Sequence, residues 1–198
     1  MFVLRPGAAV FLDRDGTLIR DVGYLRRVDE VEVLPKVPAA LHLLREQGFK
    51  LVLVTNQSAV ARGWLTEEDL GAIHVMLVAQ LARNGARLDA VYYCPHHPLE
   101  GKGIYRVACS CRKPGIGMID RASVELGLNP AVSYVVSYQN TDIELAERVG
   151  ATALMIRGDT APTGEVNRGV PTVADLWAEA HWILDHSKRV ARGEELQS

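Results

Sequence analysis

Short apolar runs that end abruptly on polar or charged residues alternate along this chain with longer stretches whose apolar positions recur at helical spacing. Ala8 to Leu12 is small or apolar and stops at Asp13, so it reads as a buried strand feeding a charged loop. Val37 to Gln47 carries Ala40, Leu41 and Leu44 on one helical stripe, with Gly48 as its C-cap. Lys50-Leu-Val-Leu-Val-Thr55 is apolar without alternation, as expected of a strand covered on both faces in a parallel sheet. A long helix is predicted from Thr66, its first turn acidic at Glu67, Glu68 and Asp69, its buried stripe Leu70, Ile73, Leu77, Val78 and Leu81.

The same reading continues to the C-terminus. Leu88 to Tyr93 is a third strand, and Ile116 to Leu126 a helix closed by Gly127. Tyr134 to Val136 is a fourth strand, Asp142 to Val149 a helix, and Ala153 to Ile156 a fifth strand. Thr172 to Leu184, just after Pro171, is the last helix, and the polar stretch from Ser187 is a frayed tail. Strand and helix alternate with no repeat and no linker. The expected fold is therefore α/β, three layers around a central parallel sheet, as one domain over residues 1–186 with a tail over 187–198. Ligands of such sheets gather beyond the carboxyl ends of the strands.

A length of 198 residues allows one substantial core, and 48% apolar with 23% charged residues is ordinary for a globular protein. The formal net charge of -2 asks for neither nucleic acid nor an anionic membrane. The start MFVLRPGAAVFLD is interrupted by charge too soon for a signal peptide, and no apolar run reaches membrane-span length. A cytoplasmic monomer is the expectation.

Three segments carry candidate chemistry. Phe11-Leu-Asp-Arg-Asp-Gly-Thr17 places Asp13 and Asp15 where the first strand leaves the sheet. Asp13 suits nucleophilic attack on phosphorus, and Asp15 suits protonation of the leaving oxygen and later activation of water. A hard cation, magnesium, would bring a phosphate dianion to the carboxylate. The plain alternative is that both aspartates are turn and cap residues. Thr55-Asn56-Gln57-Ser58 offers a hydroxyl, amides and backbone N–H groups to phosphate oxygens, or is simply a polar turn. Arg112-Lys113-Pro114 supplies two cations before a helix, with Pro114 suited to its first position; the alternative is a solvated basic turn.

Three cysteines crowd between Cys94 and Cys111, and with His96 they form a C-x-H and C-x-C set. Three thiolates and one imidazole make a closed tetrahedral set for a structural zinc ion, with free cysteines and a surface histidine as the alternative. The zinc loop spans 94–111 and should hold Arg112 and Lys113 at the pocket edge; Lys102 and Arg106 remain solvent-facing or reach substrate. His97 is expected to hydrogen-bond within the loop, and His42, His74, His181 and His186 to be ordinary helix positions.

FLDRDGTL, DVGY, VTNQS-x-x-ARG, YYCPHHP, CSCRKPG and the D-I-E-L-A helix start together resemble the haloacid dehalogenase superfamily. They are most similar to its D-glycero-D-manno-heptose 1,7-bisphosphate phosphatase and histidinol-phosphatase branch, over Phe11 to about Ile156. The resemblance implies a phosphomonoester hydrolase without a large cap domain, acting on a phosphorylated sugar such as heptose 1,7-bisphosphate. It implies Asp13 as nucleophile, Asp15 as acid/base, and Thr55 and Lys113 as phosphate stabilisers. Asp21, Gly23 and Tyr24 would contact the sugar phosphate, with Asn56, Gln57 and Ser58 beside them, and Arg112 would help select the phosphate removed. Magnesium would be held by Asp13, the main-chain carbonyl of Asp15 and an aspartate after the fourth strand. The zinc set is likewise that branch's.

After the fourth strand the branch has Gly-Asp-Lys, and this chain has Ser137-Tyr138-Gln139. Ala59 also replaces a usual glycine. A neutral phenol is a poor magnesium ligand. Asp142 is then the expected replacement ligand, with weakened activity. The alternative in a different class is a pseudophosphatase or sugar-phosphate-binding protein.

Overall fold

The computed structural model describes residues 4–157 and 169–194. Its frame is a six-stranded parallel sheet in the order β3-β2-β1-β4-β5-β6. The strands are β1 (Ala9–Leu12), β2 (Lys50–Asn56), β3 (Ala90–Cys94), β4 (Tyr134–Ser137), β5 (Thr152–Ile156) and β6 (Thr172–Val173). The helices are α1 (Val37–Glu46), α2 (Glu67–Arg83), α3 (Gly117–Leu126), α4 (Asn140–Val149) and α5 (Leu176–Ala191).

Side chains alternate across each strand, so the continuous apolar runs divide into two cores. Val10, Leu12, Leu51, Leu53, Tyr134 and Val136 meet the apolar stripes of α1, α2 and α5. Phe11, Val52, Val54, Tyr92 and Val135 face the opposite way, onto Met118, Ile119 and Ala122 of α3 and Leu145 and Ala146 of α4. Helices on both faces make three layers. The strand order reverses between β1 and β4, whose registers pair Leu12 with Val136. A strand-order reversal of this kind leaves a crevice beyond the carboxyl ends of the two strands, where such sheets gather their ligands. Between β1 and α1 lies only loop and one 3₁₀ turn, Val28–Glu30, so no large cap domain covers the crevice.

Several boundaries differ from expectation for identifiable reasons. Thr172 and Val173 do not begin a helix; these β-branched residues pair with Met155 and Ile156 as an edge strand. Asp175 then accepts the Ala178 N–H at 2.9 Å and starts α5 at Leu176. The helix continues through Ser187, which is buried, to Ala191, so the expected tail begins later; residues 195–198 lie outside the described ones. β3 is shifted to Ala90–Cys94, which puts the first cysteine on the sheet itself. Pro114 is not at a helix start: Gly115 N–H bonds to the Arg112 carbonyl in a turn, and α3 begins at Gly117. Val78 is 38% exposed and lies off the buried stripe of α2.

Two histidines expected as ordinary helix positions are buried. His186 meets the Tyr134 hydroxyl at 2.9 Å, and His74 on α2 packs near Tyr93 with its Nε2 unpartnered. Burial, aided by the positive charge of Arg14, pushes the His74 pKa down to about 3. An unfolded histidine titrates near 6.5, so the unfolded chain takes up a proton that the folded chain refuses as pH falls toward 3. Stability contributed by neutral His74 is therefore complete above about pH 6.5 and drains away as pH falls from there toward 3. His74→Phe should therefore lose stability less steeply than the parent between about pH 6 and 4, by up to about 1.4 kcal/mol per pH unit. Urea unfolding at stepped pH measures the two slopes, and parallel slopes would refute the assignment.

Candidate functional site

The loops that leave β1, β2 and β4, together with the turn before α3, converge on the crevice. At its floor Lys113 Nζ donates to Asp13 Oδ1 at 2.9 Å and to the Val54 carbonyl at 3.1 Å. It also lies 2.7 Å from Asp142 Oδ1. All three side chains are buried. Burial alone would lower the Lys113 pKa, but the charges of Asp13 and Asp142 outweigh it and raise the ammonium's pKa above its ordinary value. One cation cannot balance two carboxylates. Burial and the Asp13 charge, opposed by Lys113, accordingly push Asp142 up to about 6.

Asp142, expected as a replacement magnesium ligand, is thus the counter-ion of Lys113. Its Oδ2 accepts the Ser137 hydroxyl at 3.0 Å. Helix α4 presents it in its first turn, where a carboxylate also meets the positive helix end.

Asp15 stands beside this cluster with a different environment. Arg14, 1% exposed, folds back and clamps Asp15, its Nε and Nη2 lying 2.9–3.2 Å from the two carboxylate oxygens. Gln57 Nε2 adds a donor to Asp15 Oδ2 at 3.0 Å and reaches the Thr55 hydroxyl at 2.9 Å. Burial raises the Asp15 pKa against the lowering effect of Arg14, and the Asp13 charge raises it further. A carboxyl held protonated more readily than usual is suited to donating a proton. Arg14 was missed as a site residue in the sequence. The signal was present: a cation between two aspartates, directly after a buried strand.

Asn56 is committed to the protein. Its Nδ2 donates to the Lys113 carbonyl at 3.2 Å and its Oδ1 accepts the Lys113 N–H at 3.0 Å. The amide expected for substrate therefore fixes the backbone that carries the lysine. Ser58 is half-buried in the turn after β2. Arg112 is half-buried, and its Nη1 donates to the His96 carbonyl at 3.1 Å, tying it to the cysteine loop.

In that loop Cys94 Sγ lies 3.5 Å from Cys109 and 3.1 Å from Cys111, and Cys109 and Cys111 are 3.2 Å apart. His96 Nδ1 is 3.7 Å from Cys94 Sγ and 3.4 Å from Cys111 Sγ. The four ligand atoms all lie within 4.8 Å of one another. The sulfurs are too far apart for disulfides, whose S–S bond is about 2.05 Å, but close to the edge of about 3.8 Å for a tetrahedron of Zn–S bonds near 2.3 Å. His97 points its Nδ1 at the Leu99 and Glu100 amides, within the loop as expected. Lys102 and Arg106 are exposed.

The segment after β1 brings Asp21, Gly23 and Tyr24 to the crevice rim. Asp21 Oδ1 accepts the Gly23 N–H at 2.7 Å, and Oδ2 accepts the Tyr138 hydroxyl. Tyr138 is 8% exposed. Burial first, then its hydrogen bond to Asp21, raises its pKa beyond the usual phenol range, so the hydroxyl stays protonated. Tyr24 meets Trp64 edge-on with ring centroids 4.5 Å apart, and Arg26 lies over Trp64 at 4.6 Å. Trp64 was not singled out in the sequence, where one tryptophan before a helix cap gives no cue.

Three comparisons place this geometry among known proteins. The family model described as "HAD-hyrolase-like" matches residues 110–180. The D-glycero-beta-D-manno-heptose-1,7-bisphosphate 7-phosphatase of Haemophilus ducreyi is 43% identical over 159 residues, 79% of this chain and 87% of that protein. The enzyme of the same name from Haemophilus influenzae is 41% identical over 184 residues, 91% of this chain and 98% of that one. Among solved structures, the D,D-heptose 1,7-bisphosphate phosphatase of B. bronchiseptica, complexed with magnesium and phosphate, superposes with a TM-score of 0.78 at 30% identity. That match covers 90% of this chain and 99% of the other.

The buried triad makes a direct prediction. Lys113→Met leaves Asp13 and Asp142 facing each other without a cation and should cost about 3–5 kcal/mol of stability. Adding Asp142→Asn should recover part of that loss. Urea denaturation of the single and double variants checks both, and a single variant as stable as the parent would show that the lysine does not hold the site together.

Proposed function

The chain belongs to the D-glycero-beta-D-manno-heptose-1,7-bisphosphate 7-phosphatase family of haloacid dehalogenase-type phosphomonoester hydrolases, and we propose that it removes the 7-phosphate of that sugar bisphosphate through a phosphoaspartate on Asp13. The observation that carries the proposal is the pairing of Asp13 with buried Lys113 at the β1–β4 reversal, with Asp15 two residues on.

Asp13 supplies the attacking carboxylate oxygen, and Lys113 neutralises the phosphoryl oxygens as they arrive. The Thr55 hydroxyl and the turn through Ser58 hold those oxygens. Asp15 gives its proton to the departing sugar oxygen, and as a carboxylate it then takes one from the water that attacks phosphorus and frees Asp13. Asp21, Gly23 and Tyr24 receive the sugar end. Arg112, held by the His96 carbonyl, presents a planar fork to the second phosphate.

Among the described residues, only the cysteine–histidine set gathers three or more side-chain metal ligands. The carboxylate end offers Asp13 and the Asp15 carbonyl, since Asp142 is taken by Lys113 and Ser137 and the Tyr138 hydroxyl donates to Asp21. That pair fits magnesium, which keeps several waters and binds through one or two carboxylates plus substrate phosphate. Bound there, magnesium would supply positive charge against the phosphate. Cys94, His96, Cys109 and Cys111 fit zinc as a closed set, which gives it a structural role. The protein is taken as a cytoplasmic monomer without a nucleic-acid partner. No helix among the described residues is long and apolar enough to cross a membrane.

Two measurements test this reading. Asp13→Asn should lower phosphate release from the bisphosphate by on the order of 10⁴-fold or more, while thermal unfolding stays cooperative because Lys113 retains Asp142. Release at the parent's rate would remove Asp13 as nucleophile. Protein purified without chelator should carry about one zinc per chain, and chelation should lower the unfolding temperature. Elemental analysis that finds no zinc would contradict the ligand set.

A further inference from the structure

Tyr138 touches the loop after β1 at two places, Gly16 and Asp21, and is held by its own neighbour Gln139. Its ring packs on the turn that follows the two aspartates: a Cβ built at Gly16, φ +70°, would come within 2.5 Å of the Tyr138 ring. Its hydroxyl donates to Asp21 Oδ2 at 2.5 Å and accepts from the Gln139 side-chain amide at 3.0 Å. Asp21 in turn accepts the Gly23 amide with its other oxygen, so both oxygens of this carboxylate are occupied by protein donors. The resulting chain runs Gln139 to Tyr138 to Asp21 to Gly23. It joins the exit of β4 to a segment in which Val22 and Tyr24 are exposed and Tyr24 packs edge-on against Trp64.

We propose that Tyr138 is a positioning residue that fixes the 21–24 segment, and through it the sugar-binding rim, against the turn carrying Asp13 and Asp15. The inference rests on the reading above, in which Asp21, Gly23 and Tyr24 receive the sugar. A phenol suits the task because it combines a flat apolar face for the Gly16 backbone with a donor long enough to cross to the neighbouring loop. A carboxylate at the same place would be shorter and would face Asp21 with like charge. Gly16 is required by the same arrangement, since any side chain there would displace the ring.

Two readouts test the role. Tyr138→Phe keeps the ring on Gly16 and deletes only the hydroxyl. Amide exchange of Gly23 should then rise about tenfold, the effect of losing one charge-assisted hydrogen bond. The loss in kcat/KM should be about tenfold larger on heptose bisphosphate than on p-nitrophenyl phosphate, which has no sugar to place, and should appear mainly in KM. Asp21→Asn should produce similar changes, and the double variant should be no worse than the poorer single one. Unchanged Gly23 exchange in Tyr138→Phe, or equal losses on the two substrates, would overturn the proposal. The exchange measurement stands apart from the substrate: if the parent released no phosphate from the sugar bisphosphate, the functional reading would fall while Gly23 still decided the role of Tyr138.

Discussion

A lysine buried between two carboxylates is the constraint around which the crevice is arranged. Lys113 reaches Asp13 from β1 and Asp142 from α4, elements that lie on the two sides of the strand-order reversal. In a low-dielectric floor each of these charges would be costly alone, and their mutual attraction offsets that cost only while the geometry holds. Asp13 is therefore aimed by the same contact that joins the two halves of the sheet.

Such a lysine must be delivered accurately, because it comes from a turn and not from a helix or strand. Its backbone is clamped on both polar sides by Asn56. Two residues earlier Cys111 enters the cysteine–histidine set, whose first member, Cys94, is the last residue of β3. Gly117 at the start of α3 bonds back to the Ser110 carbonyl. The loop is thus anchored to the sheet at one end and to a helix at the other, and Lys113 lies between the anchors. The cysteine–histidine set and the buried cation that meets Asp13 thus share one short segment.

The parallel frame was legible because its signals are local. Continuous apolar runs and helical stripes predict the central strands and α1 to α4 within a residue or two. β6 was not, since two β-branched residues before a helix are too short a run to show a period, and only pairing with β5 makes them a strand. At the site the carboxylate pair, Thr55, Lys113 and the metal-ligand spacing could be read from residue chemistry. Partner choice could not. Asp142 binding Lys113, Asn56 binding backbone, and Arg14 clamping Asp15 are contacts between residues that compete for one another, and a linear pattern does not rank those competitors.

Charge balance explains how the crevice can carry a tyrosine after β4. With Asp13, Asp15 and Asp142 all ionised, three negative charges face the two positive ones of Arg14 and Lys113, so 3 minus 2 leaves one excess negative charge on the floor until Asp15 takes up the proton it donates. A phosphate dianion approaching that floor would need further positive charge. A fourth carboxylate at position 138 would double the excess and make the empty crevice depend on a cation. Tyr138 adds none, and its hydroxyl relieves Asp21 with a hydrogen bond instead. The tyrosine therefore adds no charge to the floor before any ion or substrate arrives.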